Sequence, residues 1–489
     1  MAMSLGSSIA KNTVWLMVAT TGQKAIAFLA FYIIARLTGP HITGAYFYGV
    51  SVTSVFVILS DLGMTPVVIR AIAGNREDGP RLFSAVIRAK MFLVPVAVLA
   101  SIGYGVMMHQ TPEIMGTIAL ACVAMSADAI HLILYGTLRG KQNLKPEALG
   151  MLIGQIVSAA GAVTAALMQW GPMGLAGALG LGSIWNVIWA SRAAIKHGLR
   201  WVTPSWLDLR QLALEAWPFA VAGMSVKVYS YIDSLMIQAY KGTVAVGYYA
   251  VAYKMTYAMQ FLPLTFTAAL YPALSYAYAH KEHDEVKKTF LGSLRFMAAI
   301  SFPISAGLSA LAPRLIPALY GDAFRGAIPA MQVLPWVLLP IFLDFPVGAL
   351  LNGSNRAHLK TIAMVGTMLA NALLNALLVP AYGPLGAAWA GVFSFWLLYA
   401  IGMGFTYRDA GGLWNIILPL LRASVGAGAA WLAWRYIGGF MPLPMAFIFG
   451  GAVAVVLAFA VGLINLQEVM FAWRQLKNRF VKQDQIHAA

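Results

Sequence analysis

Apolar residues along this chain fall into long runs separated by short polar stretches. Runs such as 114–125 and 450–466 show none of the period-two alternation of a strand, so a β-barrel is excluded. A helix needs about 20 predominantly apolar residues to cross a bilayer core, and helices satisfy their own backbone groups there. Stretches of that quality predict fourteen spans: 12–35, 43–69, 83–107, 114–137, 147–169, 173–195, 213–239, 243–277, 290–312, 328–351, 359–379, 385–406, 415–437 and 443–464. The eighth is long enough to tilt, or to kink at Pro263. No stretch outside the spans is long enough to fold as a domain of its own. The expected fold class is an all-α polytopic membrane protein.

Composition agrees. Of 489 residues 60% are hydrophobic and 10% charged, with a mean hydropathy of +0.75, whereas soluble domains carry about 25% charged residues. A soluble enzyme is excluded. The first eleven residues lead straight into a full-length span without a cleavage-site pattern, which reads as an uncleaved first helix. Cys122 is the sole cysteine, which leaves no disulfide framework or redox pair; its Ala/Met/Leu surroundings suit an inert buried thiol.

Charge then orients the spans. The even-numbered loops and the termini hold 20 of the 33 Lys and Arg residues, among them Lys11, Arg76, Arg139, Lys145, Arg192, Lys196, Arg200, Lys360 and, in the tail, Arg474, Lys477, Arg479 and Lys482; the odd-numbered loops hold 5. The positive-inside rule places both termini in the cytoplasm. The net charge of +16 is mostly this topological signal and does not indicate a nucleic-acid partner.

An internal repeat runs through the chain. Arg36-Leu-Thr-Gly39-Pro-His-Ile-Thr-Gly44-Ala-Tyr46 is echoed by Ala239-Tyr-Lys-Gly242-Thr-Val-Ala-Val-Gly247-Tyr-Tyr249 at an offset of 203, which also sets Lys24 against Lys227. Phe83–Arg88 matches Phe290–Arg295 at 207, Gly140 matches Gly353 at 213, and Gly171-Pro-Met-Gly matches Gly383-Pro-Leu-Gly at 212. Six spans separate equivalent positions, so the halves share one membrane orientation, a parallel repeat. The expected organisation is an N-terminal lobe over 1–200 (spans one to six), a C-terminal lobe over 201–410 (spans seven to twelve), and spans thirteen and fourteen with a cytoplasmic tail over 411–489.

Eight basic residues lie within spans: Lys24, Arg70, Arg88, Lys90, Lys227, Lys254, Arg295 and Arg422. A charge at a helix centre costs about 2.5–3.5 kcal/mol even on lenient scales. Arg70, Arg88, Lys90, Arg295 and Arg422 are near enough to an edge to snorkel. Lys24 and Lys227 are central and must face a protein or water-filled interior, either as lumen cations or in a buried ion pair with Asp61 or Asp233. The span carboxylates are Asp61, Asp128, Asp233 and Asp344, with His131 one turn after Asp128 and opposite Asp344 in the repeat. Two readings stay open for this group: coupling to H+ or Na+, or compensation of the nearby cations. Ten of the twenty tyrosines lie between Tyr229 and Tyr278. Tyr229, Tyr231, Tyr249, Tyr253 and Tyr257 are deep enough to face a glycan in a cavity or to serve ordinary helix packing.

These features, in order, resemble the Wzx-type oligosaccharide exporter branch of the multidrug/oligosaccharidyl-lipid/polysaccharide (MOP) superfamily. The resemblance rests on Arg36, Gly39-Pro40, Gly44 and Asp61-Leu62-Gly63. It continues through Asp233, Gly247-Tyr248, Ala252-Tyr253-Lys254, Tyr271-Pro272-Ala273-Leu274 and Leu319-Tyr-Gly-Asp322, then Asn371, Leu374-Asn375, Pro380 and Tyr382-Gly383-Pro-Leu-Gly386. Thr38 and His41 depart from the family's usual residues around Gly-Pro. The resemblance implies a flippase in the bacterial inner membrane, without enzymatic chemistry or a cofactor. It would move undecaprenyl-pyrophosphate-linked oligosaccharide to the periplasmic leaflet by alternating access, for O-antigen, capsule or exopolysaccharide, beside a polysaccharide polymerase and a chain-length regulator. Lys24, Lys227, Arg88 and Arg295 are the first candidates for the anionic headgroup, and Lys254, Lys90 and Arg70 the second. A cation-coupled multidrug antiporter and a lipid II flippase are the alternatives within the superfamily. Ligases and polymerases carry a sizeable external loop, whereas the longest here is Pro313–Ala327.

Overall fold

The structure, a computed structural model, describes residues 2–74, 76–199 and 201–462. Arg200, the end of the last expected span and the four basic residues of the tail lie outside the described residues. The helices are α1 (Ala2–Phe56), α2 (Met64–Ala73), α3 (Gly79–Met107), α4 (Pro112–Gly140), α5 (Lys145–Leu167), α6 (Gly171–Lys196), α7 (Trp206–Lys241) and α8 (Thr243–Ala258). They continue with α9 (Phe261–Ala279), α10 (His283–Tyr320), α11 (Ile328–Val333), α12 (Leu338–Gly353), α13 (Ala357–Tyr382), α14 (Pro384–Thr406), α15 (Trp414–Leu432) and α16 (Leu443–Ala460). No strand occurs among the described residues. Helices α3 to α6 each carry proline in the first turn, where its missing N–H costs nothing.

Among the described residues, eleven helices, not fourteen, are long and apolar enough to cross a bilayer. One of them, Ala19–Ser60, covers 42 residues and is broken at Gly39 (φ 75°, ψ 178°), so the first two expected spans fall on it. The second is shorter than expected. Its helix stops at Phe56, a 3-10 turn covers Val57–Ser60, and Leu62 (φ 44°) and Gly63 (φ 74°) turn the chain into α2. Gly63 is required twice over: by its left-handed backbone, and because a Cβ there would lie 2.5 Å from the Ala220 nitrogen on α7. Helix α7, the expected span 213–239, is not among the eleven; it carries Asp208, Arg210, Glu215, Lys227 and Asp233. The expected kink at Pro263 is instead a break at Met259–Gln260 between α8 and α9. Pro263 sits in the first turn of α9, where a helix tolerates it.

The repeat is visible in the backbone. Gly39 and Gly242, 203 residues apart, adopt nearly the same conformation (φ 75°, ψ 178° and φ 80°, ψ −178°). Gln142 and Asn355 both have φ 57°, and Gly171 and Gly383 have φ 67° and 56°. Phe83 and Phe290 are both buried while Arg88 and Arg295 are both exposed. The equivalent segments also pack reciprocally. A Cβ at Gly44 would fall 2.0 Å from the Thr243 carbonyl oxygen, and one at Gly247 would fall 2.0 Å from the Pro40 carbonyl oxygen. Position i meeting j while j's counterpart meets i's is the mark of a two-fold contact, and in a membrane small residues let backbones approach this closely.

The chain divides into two compact units. The first holds residues up to Phe261 with Ile316–Met331 and Thr361–Ser394. Its core joins α2, α3, α4 and α6 through Val67, Val68, Phe83, Val86, Tyr135, Leu138 and Ala190, and a second cluster of Ala30, Ile34, Ala162, Ala165, Leu175 and Ala178 joins α1, α5 and α6. The second holds Leu262–Leu315, Gln332–Lys360 and the described residues from Phe395 on. There Trp434 packs among Ala306, Ala310, Ala430 and Ala446, and its indole N–H donates to the Ala446 carbonyl at 3.0 Å.

At the head of α7 in the first unit, Arg76 bridges Asp78 (2.6 Å) and Glu215 (3.1 Å), and Gln211 donates to both carboxylates at 3.0 Å. This network ties the loop before α3 to α7. The Arg76 guanidinium holds the Asp78 carboxyl below the usual carboxylate range. A depressed acid contributes stability above its unfolded value, and the contribution is lost as pH falls through the folded value. Wild-type protein in detergent is therefore expected to melt above Asp78→Asn at pH 7. The gap should close as pH is lowered below about 4, the ordinary aspartate value; an unchanged gap in the melting curves there would remove Asp78 from the network.

Candidate functional site

Within the first unit, α1, α7, α8 and α13 converge on one charged and aromatic site. Tyr249, Tyr253 and Tyr257 repeat at i, i+4 and i+8 on α8, which puts them on one face. Tyr253 and Tyr257 stack with centroids 4.2 Å apart, and Tyr253 also meets Tyr249 (6.0 Å), Phe47 of α1 (5.5 Å) and Tyr231 of α7 (6.4 Å). Next to this ladder, the Lys254 ammonium lies 5.6 Å from the Phe31 ring and 5.7 Å from the Phe47 ring. Lys227 reaches over the Tyr231 ring at 5.8 Å. Both are cation–π contacts, which strengthen as water is excluded.

Asp233 is the anionic counterpart. It is 3% exposed, and its carboxylate accepts from the Tyr249 hydroxyl at 2.5 Å and the Asn375 amide at 2.7 Å. None of the ion pairs among the described residues includes Asp233. A buried carboxylate without a cation is costly, and hydrogen bonds offset only part of that cost. Asn375 also donates to Asn371 one turn earlier on α13 (3.2 Å), and both asparagines keep a buried amide atom with no hydrogen-bond partner among the described residues. Tyr229, one turn before Asp233, is buried as well.

The structure places the remaining candidates elsewhere. Lys90 does not reach a lumen: it is 3% exposed and bonds Asp61 (2.6 Å) and the Ser60 carbonyl (3.3 Å). Asp61 therefore compensates Lys90, and Asp233 bonds Tyr249 and Asn375, so neither carboxylate forms an ion pair with Lys24 or Lys227. Lys24 is exposed on α1. Arg88 is exposed and donates to the Pro204 carbonyl at 3.3 Å, and Arg70 lies 5.4 Å over the Phe219 ring. Asp128 bonds His131 at 2.9 Å. In the second unit Arg295 is exposed on α10, and Asp344 pairs with Lys360. Lys360, read from sequence as a loop charge, is a buried residue of the first turn of α13, where Asp344 offsets the cost of burying it. Phe31, Phe47 and the partnership of Asn371 and Asn375 with Asp233 emerge only in the structure. The two asparagines at i, i+4 in an apolar span were the available signal.

The site thus groups two lysines and a tyrosine ladder with Asp233, a buried carboxylate outside every ion pair among the described residues. The sequence matches the polysaccharide biosynthesis protein family over residues 9–278, more than half of the chain, and so belongs to it. A second match, to the MatE family, covers residues 218–377. A probable low-salt glycan biosynthesis flippase, Agl15 of Haloferax volcanii, is 20% identical over 85% of this chain and 89% of its own length. Among solved structures, the lipid II flippase MurJ in an inward closed conformation matches with a TM-score of 0.74 at 13% identity, over 94% of this chain and 100% of that one. An inward-facing multidrug resistance MATE family transporter of the MOP superfamily matches with a TM-score of 0.64 at 15% identity, over 82% of this chain and 95% of that one. The chain is thus a member of the polysaccharide biosynthesis protein family, and its fold is the one found in these two solved transporters.

Proposed function

We propose that the protein translocates a polyprenyl-pyrophosphate-linked oligosaccharide from the cytoplasmic to the periplasmic leaflet of a bacterial inner membrane. The observation that carries this reading is the grouping of Lys227 and Lys254 with the tyrosine ladder of α8. A pyrophosphate is an anion that ammonium groups attract strongly where water is scarce, and sugar rings lie well against aromatic faces with hydroxyls at their edges. The two repeats, taken as lobes over 1–200 and 201–410, would alternate access by rocking. Asp233 with Tyr249, Asn371 and Asn375 offers hard oxygen donors suited to H+ or Na+, which makes this group the coupling site. Asp128 with His131 is the second candidate, whereas Asp61 and Asp344 compensate lysines.

Deleting the gene should make one lipid-linked oligosaccharide accumulate on the cytoplasmic side. Complementation with Lys227→Ala or Lys254→Ala should restore export about 10-fold less well than wild type or worse, since a hydrogen bond to a charged group contributes about 1.5–3 kcal/mol. The double variant should lose less than the product of the two if both lysines meet one pyrophosphate. Normal export by the double variant at wild-type abundance would take both out of the mechanism.

A further inference from the structure

A second basic site lies at the periphery of the first unit, on the side of the bundle that carries most of the loop cations. A cavity of about 380 Å³ opens between the start of α5 and the end of α6, lined by Lys145, Pro146, Leu149, Trp189, Arg192 and Lys196, with Asn143, Ala193 and His197 completing it. None of its lining residues is acidic. Glu147 nearby is turned inward, fully buried and paired with Arg139. The wall is built rather than incidental. Trp189 lies over Gly150, where a Cβ would come 2.4 Å from its ring, and its indole N–H donates to the Pro146 carbonyl at 2.8 Å. Trp185 stacks on Trp189 at 6.1 Å.

The surface leading to the cavity is apolar. Leu181, Ile184, Ile188 and Ile195 of α6 are 57%, 41%, 43% and 70% exposed. Their spacing of three to seven residues sets them on one helix face, and Arg192 falls on the same stripe, four residues beyond Ile188. A lipid-facing stripe that ends in three cations and an interfacial tryptophan pair matches a molecule with acyl chains below a phosphate. Basic pockets at the cytoplasmic edge of membrane helices suit anionic headgroups, with each nearby Lys or Arg contributing about 1 kcal/mol.

We infer that Lys145, Arg192 and Lys196, with the Trp189 wall, form a binding site for an anionic glycerophospholipid of the leaflet on the basic side. The headgroup phosphate sits among the three cations and the acyl chains lie along the Leu181–Ile188 stripe of α6. This inference does not depend on what the protein transports. The other lipid-borne phosphate in reach is the polyprenyl substrate, but it would need the interior of the bundle, whereas this cavity faces outward.

The test uses full-length protein in phosphatidylcholine nanodiscs containing increasing fractions of brominated phosphatidylglycerol. Quenching at the site is read as the difference between wild type and Trp185→Phe/Trp189→Phe. Half-quenching should need several-fold less brominated phosphatidylglycerol than brominated phosphatidylcholine. The charge-neutral variant Lys145→Gln/Arg192→Gln/Lys196→Gln should abolish that preference at matched ionic strength. Lys145→Arg/Arg192→Lys/Lys196→Arg, which keeps the charge, should retain it. Equal quenching by the two lipids in wild type overturns the inference whether or not the neutral variant folds. Displacement of the brominated lipid by polyprenyl phosphate at a lower fraction assigns the site to the substrate instead. Displacement by inorganic phosphate in solution would show an anion site with no lipid character, which also overturns it.

Discussion

Asp233→Asn is expected to leave a folded protein that no longer couples transport to an ion gradient. The substitution preserves shape and keeps an oxygen to accept from Tyr249 or Asn375, which bond the native carboxylate at 2.5 and 2.7 Å. It removes the charge, and with it the attraction for a coupling cation. In proteoliposomes with a proton or sodium gradient imposed separately, wild type should respond to one of them and Asp233→Asn to neither, with a loss of at least ~10-fold, which corresponds to about 1.4 kcal/mol. Asp233→Ala should do more damage. It strands the Tyr249 hydroxyl and the Asn375 amide in a buried site, at about 1–3 kcal/mol for each group left unpaired, so abundance should fall together with activity. Gradient-dependent flipping at the wild-type rate in Asp233→Asn would exclude this carboxylate from coupling and leave Asp128 and His131 as the group to test.

The second large effect concerns the crossing of the repeats. Gly44→Ala or Gly247→Ala would put a methyl group 2.0 Å from a backbone carbonyl oxygen, that of Thr243 or Pro40 respectively. No rotamer change relieves a Cβ clash with backbone, so the part of α1 just past Gly39 and the start of α8 must separate. Overpacking costs about 1–3 kcal/mol when side chains can yield, and more is expected where only backbone can. Each alanine should sharply lower the yield of monodisperse protein in fluorescence-detected chromatography, and valine should abolish it. Gly44→Ala/Gly247→Ala should be little worse than either single change, because both open the same contact. Gly103→Ala and Gly177→Ala are the controls. Both lie in helices with nothing within 4 Å of the added atom, and replacing a helical glycine there should be neutral or stabilising by about 0.5–1 kcal/mol. Normal yield from Gly44→Val would mean that the two segments do not pack as described.

The pattern of apolar runs determined the membrane class of this protein and most of its helices, because hydropathy acts over twenty residues at a time and needs no partner to be read. The repeat was legible for a similar reason. Gly39 and Gly242 are fixed by their positive-φ backbone and Gly44 and Gly247 by one reciprocal contact, and these demands leave the same letters at the same spacing in both halves. Helix ends were less legible: the turn at Asp61-Leu62-Gly63 interrupts a run that is apolar enough to continue, and Gly63 is there for the close approach of α7, which lies some 150 residues further along. Charge partners were legible only where they sit one helical turn apart, as Asp128 and His131 do. Lys90 finds Asp61 across 29 residues and Lys360 finds Asp344 across 16, and hydropathy counts such a pair as two separate penalties. Which of four carboxylates would be left without a cation, and so be free to hold one, depended on how the helices rotated against one another. Tertiary packing made that choice: it gave lysines to Asp61 and Asp344, a histidine to Asp128, and to Asp233 hydrogen bonds from Tyr249 and Asn375 in place of any ion pair among the described residues.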